Sequence, residues 1–190
     1  MTFTGSKFLS TKFLTTGILA AGLALGACGE GSGAATPEGG GKHPLVGNPA
    51  PSFEVDSLNG QGKVSFDKWK GKVVYVDFWA TWCEPCIREW PQLDRLAERF
   101  AGRDEVVILA ISMDSDPALI APFLQRMSLA DTRVRVLWDP QQAVQKQFGT
   151  EKLPDTYFID RAGQIVHAFI NVRDWGRPAA YQCVESMLAR

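Results

Sequence analysis

Two hydrophobic periods alternate along the chain from residue 44 to the C-terminus. Residues 53–56 (FEVD) and 64–66 (VSF) alternate apolar and polar positions around the turn signal Asn59-Gly60, which predicts a β-hairpin. Residues 72–79 (KVVYVDFW) are apolar on both faces, as a central strand requires, with Asp77 the one acid among them. Ile87, Trp90, Leu93, Leu96, Ala97 and Phe100 then recur at helical spacing, and Gly102 can end that helix. Residues 106–111 predict another buried strand, and residues 117–129 a helix capped by Asp116 with proline at its first position. Residues 134–138 predict a strand, and residues 141–148 a short helix stopped by Gly149. Residues 156–160 and 164–170 predict a hairpin, and residues 178–188 a last helix. Strands that alternate with helices imply parallel pairing, and the late hairpin adds antiparallel strands. The expectation is one α/β domain with a mixed central β-sheet flanked by helices.

The first 27 residues break this pattern. Lys7 and Lys12 precede an apolar run at 13–25, and no acid occurs before Glu30. A mature membrane-spanning helix needs about 20 apolar residues, so this run has the length of a signal-peptide core. It ends Leu25-Gly26-Ala27-Cys28, which resembles the lipobox of bacterial lipoproteins. That resemblance implies removal of residues 1–27, lipidation of Cys28 and an extracytoplasmic, membrane-anchored protein facing the periplasm in a Gram-negative cell. Residues 29–42 (GEGSGAATPEGGGK) carry no large aliphatic side chain. Such a segment cannot bury enough surface to offset its chain entropy. Residues 28–45 therefore read as a lipidated cysteine and flexible tether, and residues 46–190 as the folded domain.

Composition changes the picture little. Of 190 residues, 45% are hydrophobic and 22% charged, and the net charge of −1 includes no basic cluster of the kind nucleic acid requires. Four cysteines are too few for a disulfide-stapled miniature, so their placement carries the information.

Cys83-Glu84-Pro85-Cys86 closes the buried strand and opens the helix. The first helical turn offers unpaired backbone N–H groups and the positive end of the helix dipole. A sulfur there is stabilised as thiolate and becomes a nucleophile. Cys83 fits the exposed, attacking position, and Cys86 fits the resolving position one turn along. The pair can then pass two electrons through a mixed disulfide. A zinc site would need a second ligand pair, and the only histidines are His43 and His167, so no metal and no cofactor is expected. Cys183, among Val184, Met187 and Leu188, reads as a buried inert thiol, Trp79 as core, and His167 as a strand-face residue.

Residues 76–86 (VDFWATWCEPC) resemble the active-site strand and loop of the thioredoxin superfamily. Pro91 matches that family's helix-kinking proline, and Leu153-Pro154-Asp155-Thr156 resembles its cis-proline loop. The lipobox, the N-terminal hairpin and the long interval before Pro154 are similar to the TlpA/ResA branch, with an αβ insertion expected at about residues 114–138. The resemblance implies a thioredoxin-like fold and a buried acid, Asp77, that accepts the proton of the resolving cysteine. It also implies that Glu89 tunes the pair. Glu84, between the cysteines, should oppose thiolate formation, and Trp82 should shield Cys83 or form a docking surface. The implied activity is reduction of protein disulfides, with apocytochrome c thiols among the substrates and a membrane electron donor of the DsbD/CcdA type. A monomer is expected. A disulfide oxidase or isomerase would use the same residues at another potential. A thiol peroxidase would place its cysteine in a Pro-x-x-x-Thr/Ser-x-x-Cys context, and a copper-binding assembly protein would use Cys-x-x-x-Cys with a downstream histidine. Neither pattern surrounds Cys83.

Overall fold

A computed structural model describes residues 43–58 and 62–189, together with residue 1. Residues 2–42, which hold the rest of the expected signal peptide, Cys28 and most of the expected tether, and the expected Asn59-Gly60 turn lie outside the described residues.

Seven strands form one mixed sheet in the order β2-β1-β5-β4-β3-β6-β7. The hairpin is β1 (Glu54–Ser57) and β2 (Lys63–Ser65), paired antiparallel. β3 (Val73–Trp79) is buried along its whole length, because it lies between β4 (Val106–Ser112) and β6 (Asp155–Ile159) and has side chains packed on both faces. β3, β4 and β5 (Arg135–Trp138) run parallel, whereas β6 pairs antiparallel with both β3 and β7 (Ile165–Ile170). The β5 strand, supplied by the segment expected as an insertion, joins β4 to the N-terminal hairpin.

Alternation along β3 divides the core. Tyr75, Asp77 and Trp79 point to the face covered by α1 (Glu84–Arg99), α2 (Ile120–Arg126) and α4 (Pro178–Leu188); Trp79 meets Trp90 of α1 and Phe123 of α2 at ring-centroid distances of 4.7 and 5.4 Å. Phe78 points to the opposite face, where it meets Phe148 of α3 (Ala143–Phe148) and Tyr157 of β6.

The expected helix at 117–129 is shorter and begins differently. Asp116 accepts the Ala118 N–H at 2.9 Å, but it caps a 3-10 turn at Pro117–Leu119 that leads into α2. Pro122 lacks the N–H that an unbroken helix from 117 would bond back to Ala118. The helix stops at Arg126; Ser128 takes a left-handed conformation (φ 59°), and the Leu129 N–H returns to the Leu124 carbonyl. Helices often end on such a residue, usually a glycine, so the serine gave no stop signal. The short helix also starts later than expected. The buried Asp139 carboxylate accepts the N–H groups of Ala143, Val144 and Gln145, and Gly149 ends the helix at φ 67°.

Candidate active site

Cys83 is the N-cap of α1, and its sulfur accepts the Cys86 N–H at 3.2 Å. The two cysteines are bonded, with Cα atoms 5.3 Å apart. Cys83 is less exposed than its attacking role suggested, at 5% against 2% for Cys86. It nevertheless lines a groove of about 420 Å³, together with Trp82, Glu84, Pro85, Met113 and Leu153, and with Gln142, Gln145 and Glu151 as polar members. Cys86 does not line it. Two other surface depressions, of about 430 and 520 Å³, contain neither cysteine. Trp82 is 66% exposed, which makes it part of the surface around the groove and not of the core. Pro85 sits in the first turn of α1, Pro91 lies inside that helix, and the Leu153-Pro154 bond is cis. Glu84 pairs with Arg88 one turn on at 3.2 Å, so its charge is partly balanced, which weakens its expected opposition to a thiolate.

Asp77 is buried in the middle of β3, opposite Ala110 and Thr156. Its Oδ1 accepts the Thr156 hydroxyl at 3.0 Å. Burial, then the charge of Glu89, holds its carboxyl well above the usual range, against the pull of the Thr156 bond. Glu89 is equally buried on α1, one turn from Cys86. Its Oε1 accepts the Arg173 N–H at 3.0 Å and the Trp175 indole N–H, while Oε2 is buried without a partner. Burial pushes the Glu89 carboxyl up to about 7, in spite of these donors. The two acids assigned by resemblance are therefore electrostatic neighbours beside the helix that carries Cys86.

Several contributors had not been singled out. Asp114, fully buried after β4, accepts the Thr81 N–H at 3.0 Å, the Thr81 hydroxyl at 2.6 Å and the Ser112 hydroxyl at 2.8 Å. Its carbonyl accepts the Trp138 indole N–H. This acid fixes the loop that presents Cys83; the hydroxyl of Ser112 two residues earlier was the available signal. Replacing Asp114 by alanine leaves three donors short of an acceptor, which should cost about 3 kcal/mol or more, measured by denaturant unfolding of the oxidised protein. Tyr75 adds a buried hydroxyl whose pKa burial raises well above normal. On the other face Asp155, next to Pro154, accepts the Tyr157 hydroxyl at 2.8 Å, and burial raises its carboxyl too. His167 lies on β7 in ring contact with Phe158 and Phe169. Cys183 is buried in α4, as the helical pattern implies.

Residues 46–168 match the model of the AhpC/TSA family. The chain belongs to that family. It is part of the thioredoxin superfamily, and the protein is a thiol–disulfide oxidoreductase. A thiol-disulfide oxidoreductase ResA of Bacillus thuringiensis (strain Al Hakam) is 31% identical over 125 residues, 66% of this chain and 69% of that protein. The ResA of Geobacillus thermodenitrificans (strain NG80-2) is 32% identical over 63% of this chain and 66% of its own. Among solved structures, the pneumococcal exposed lipoprotein thioredoxin of Streptococcus pneumoniae strain TIGR4 superposes with a TM-score of 0.60 at 25% identity, covering 72% of this chain and 99% of that one.

Proposed function

We propose that the protein is an extracytoplasmic protein-disulfide reductase, anchored through Cys28. The observation that carries this reading is the division of the cysteine pair: Cys83 lines a groove at a helix N-terminus, and Cys86 lies behind it on the helix that bears Glu89. In the reduced protein the Cys83 thiolate attacks one sulfur of a substrate disulfide. A mixed disulfide forms, and the other substrate sulfur leaves as a thiolate and takes a proton. Cys86 then gives its proton to a carboxylate, Asp77 or Glu89, and attacks the Cys83 sulfur. The second substrate sulfur departs, two electrons have moved to the substrate, and the protein holds the Cys83–Cys86 disulfide seen here. Each turnover requires a dithiol donor, which in this compartment is a membrane protein of the DsbD/CcdA type. Apocytochrome c, whose paired cysteines must be reduced before haem attachment, is the proposed substrate class.

The reducing direction is supported by burial. Strong oxidants owe their potential to a very stable thiolate. Here both cysteines are largely buried, and Asp77 and Glu89, which already resist ionisation, sit on the strand and helix that flank the pair, so a further negative charge is poorly accommodated. Equilibration with glutathione should give a reduction potential below about −180 mV; a value near −120 mV, as in DsbA, would overturn the direction.

The anchor is supported by the lysines before a short apolar run, by the lipobox-like ending at Cys28, and by the lipoprotein named among the structural relatives. Mass spectrometry of the mature protein should find residues 1–27 absent and Cys28 lipid-modified. An intact Met1 or an unmodified Cys28 would reject the anchor.

A further inference from the structure

The segment between β7 and α4 touches both halves of the site. The Asn171 N–H donates to the carbonyl of Pro154 at 3.0 Å, from a left-handed conformation at φ 71°. Two residues on, the Arg173 N–H donates to Glu89 Oε1, and the Trp175 indole N–H donates to the same oxygen. The indole is wedged by edge-on contacts with Tyr75, Phe158 and Phe169 at 5.2, 5.7 and 5.4 Å. The segment also passes close over α1. A Cβ on Gly176 would lie 2.5 Å from the Gln92 side-chain oxygen, so a larger residue there would have to displace that side chain. Glu89 thus takes both of its donors from one short segment on one oxygen, and its other oxygen is buried and bare.

We propose that Trp175 is a positioning residue for the exchange reaction: with the Arg173 amide it clamps Glu89 by Oε1, leaves Oε2 to exchange the Cys86 proton, and so ties that acid to the segment that also bonds the Pro154 carbonyl. The inference rests on the dithiol-exchange reading above. A donor on Oε1 stabilises the carboxylate more than the carboxylic acid, so it offsets the burial that favours the protonated form. The other ionisable groups that act on Glu89 are Asp77 and Tyr75 on β3 and the Arg173 guanidinium; Asp155 on β6 acts through Asp77. The two acids titrate together, so removing the indole donor shifts a shared midpoint.

The test uses the full-length oxidised chain carrying Trp175→Phe, which keeps an aromatic ring and removes the N–H. Carbon-detected NMR of the Glu89 carboxyl, identified by its loss in Glu89→Gln, should show a midpoint higher by about one pH unit than wild type, which is tenfold in the proton equilibrium. An unmoved midpoint overturns the clamp. In wild type, where folding is not in question, the Trp175 indole N–H resonance should shift with the Glu89 midpoint; an indole signal flat from pH 5 to 9 overturns it as well. The pH midpoint for release of a mixed disulfide should rise by the same amount in Trp175→Phe, and Trp175→Phe added to Glu89→Gln should move it no further. A carboxyl that shifts while release does not follow overturns the positioning role. A wild-type protein that exchanges no disulfide at any pH overturns the reductase reading itself, an outcome the NMR titration separates from failure of the clamp.

Discussion

Cys86→Ala, expressed in the native cell, is expected to accumulate covalent complexes through Cys83, whereas Cys83→Ser is expected to lose exchange to the uncatalysed background. The asymmetry follows from placement. Cys83 lines the groove and its sulfur already accepts a helix N-terminal N–H, so it meets the substrate and carries the thiolate. A serine hydroxyl there is not ionised near neutral pH and cannot replace it. Cys86 acts only on the mixed disulfide, from inside α1. Without it, release must await an external thiol, and the loss of an oriented intramolecular attack slows release by a factor on the order of 10³ or more. Mass spectrometry of the trapped complexes would identify the partners. Alkylation of the reduced wild-type protein checks the order: Cys83 should react first, and faster labelling of Cys86 would reverse the assignment.

Much of this site was legible because its signals are local. The run of β-branched and aromatic residues in β3 marks a strand buried on both faces, and an acid in its middle stands out. Cys83 and Cys86 follow directly at a helix start, so the placement of the pair at a first turn can be read from spacing. What escaped is held by contacts between distant segments. Trp175 and Glu89 are 86 positions apart, and no periodicity links a loop tryptophan to a helix acid. Asp114 entered only as the start of the expected insertion, yet it holds Thr81 from 33 positions away. The end of α2 was missed for a different reason: the left-handed position that stops it holds Ser128, where a glycine would have announced the stop. The weight placed on Glu84 was likewise a reading of charge without its partner. Arg88, at the spacing where helix neighbours meet, partly balances it, and the buried acids dominate the electrostatic character of the site.

Glu89→Gln should flatten the pH dependence of stability while it slows the release of substrate. In the folded oxidised protein the Glu89 carboxyl is raised from 4.5 to about 7, chiefly by burial. Between those values the native state keeps a proton that the unfolded chain has released, so stability falls as pH rises. The contribution is fully present below about pH 4.5 and is lost as pH rises through about 7. A shift of this size corresponds to about 3 kcal/mol, and Asp77, raised in the same direction, adds a loss of the same sign. The amide cannot ionise, so denaturant unfolding at pH 5 and pH 8.5 should differ by about 2.5 kcal/mol less in the variant than in wild type, part of the full contribution being already lost at pH 5. The neutral side chain can still present its carbonyl oxygen to the Arg173 and Trp175 donors, with the amide nitrogen left at the unpartnered Oε2 position. That cost, about 1 kcal/mol or more, is the same at both pH values and does not alter the difference. Release of the mixed disulfide should slow at the same time, because the amide cannot accept the Cys86 proton and Asp77 must act alone. Equal pH dependence in the two proteins would show that Glu89 does not hold its proton through folding, and would remove it as the group that exchanges protons near neutral pH.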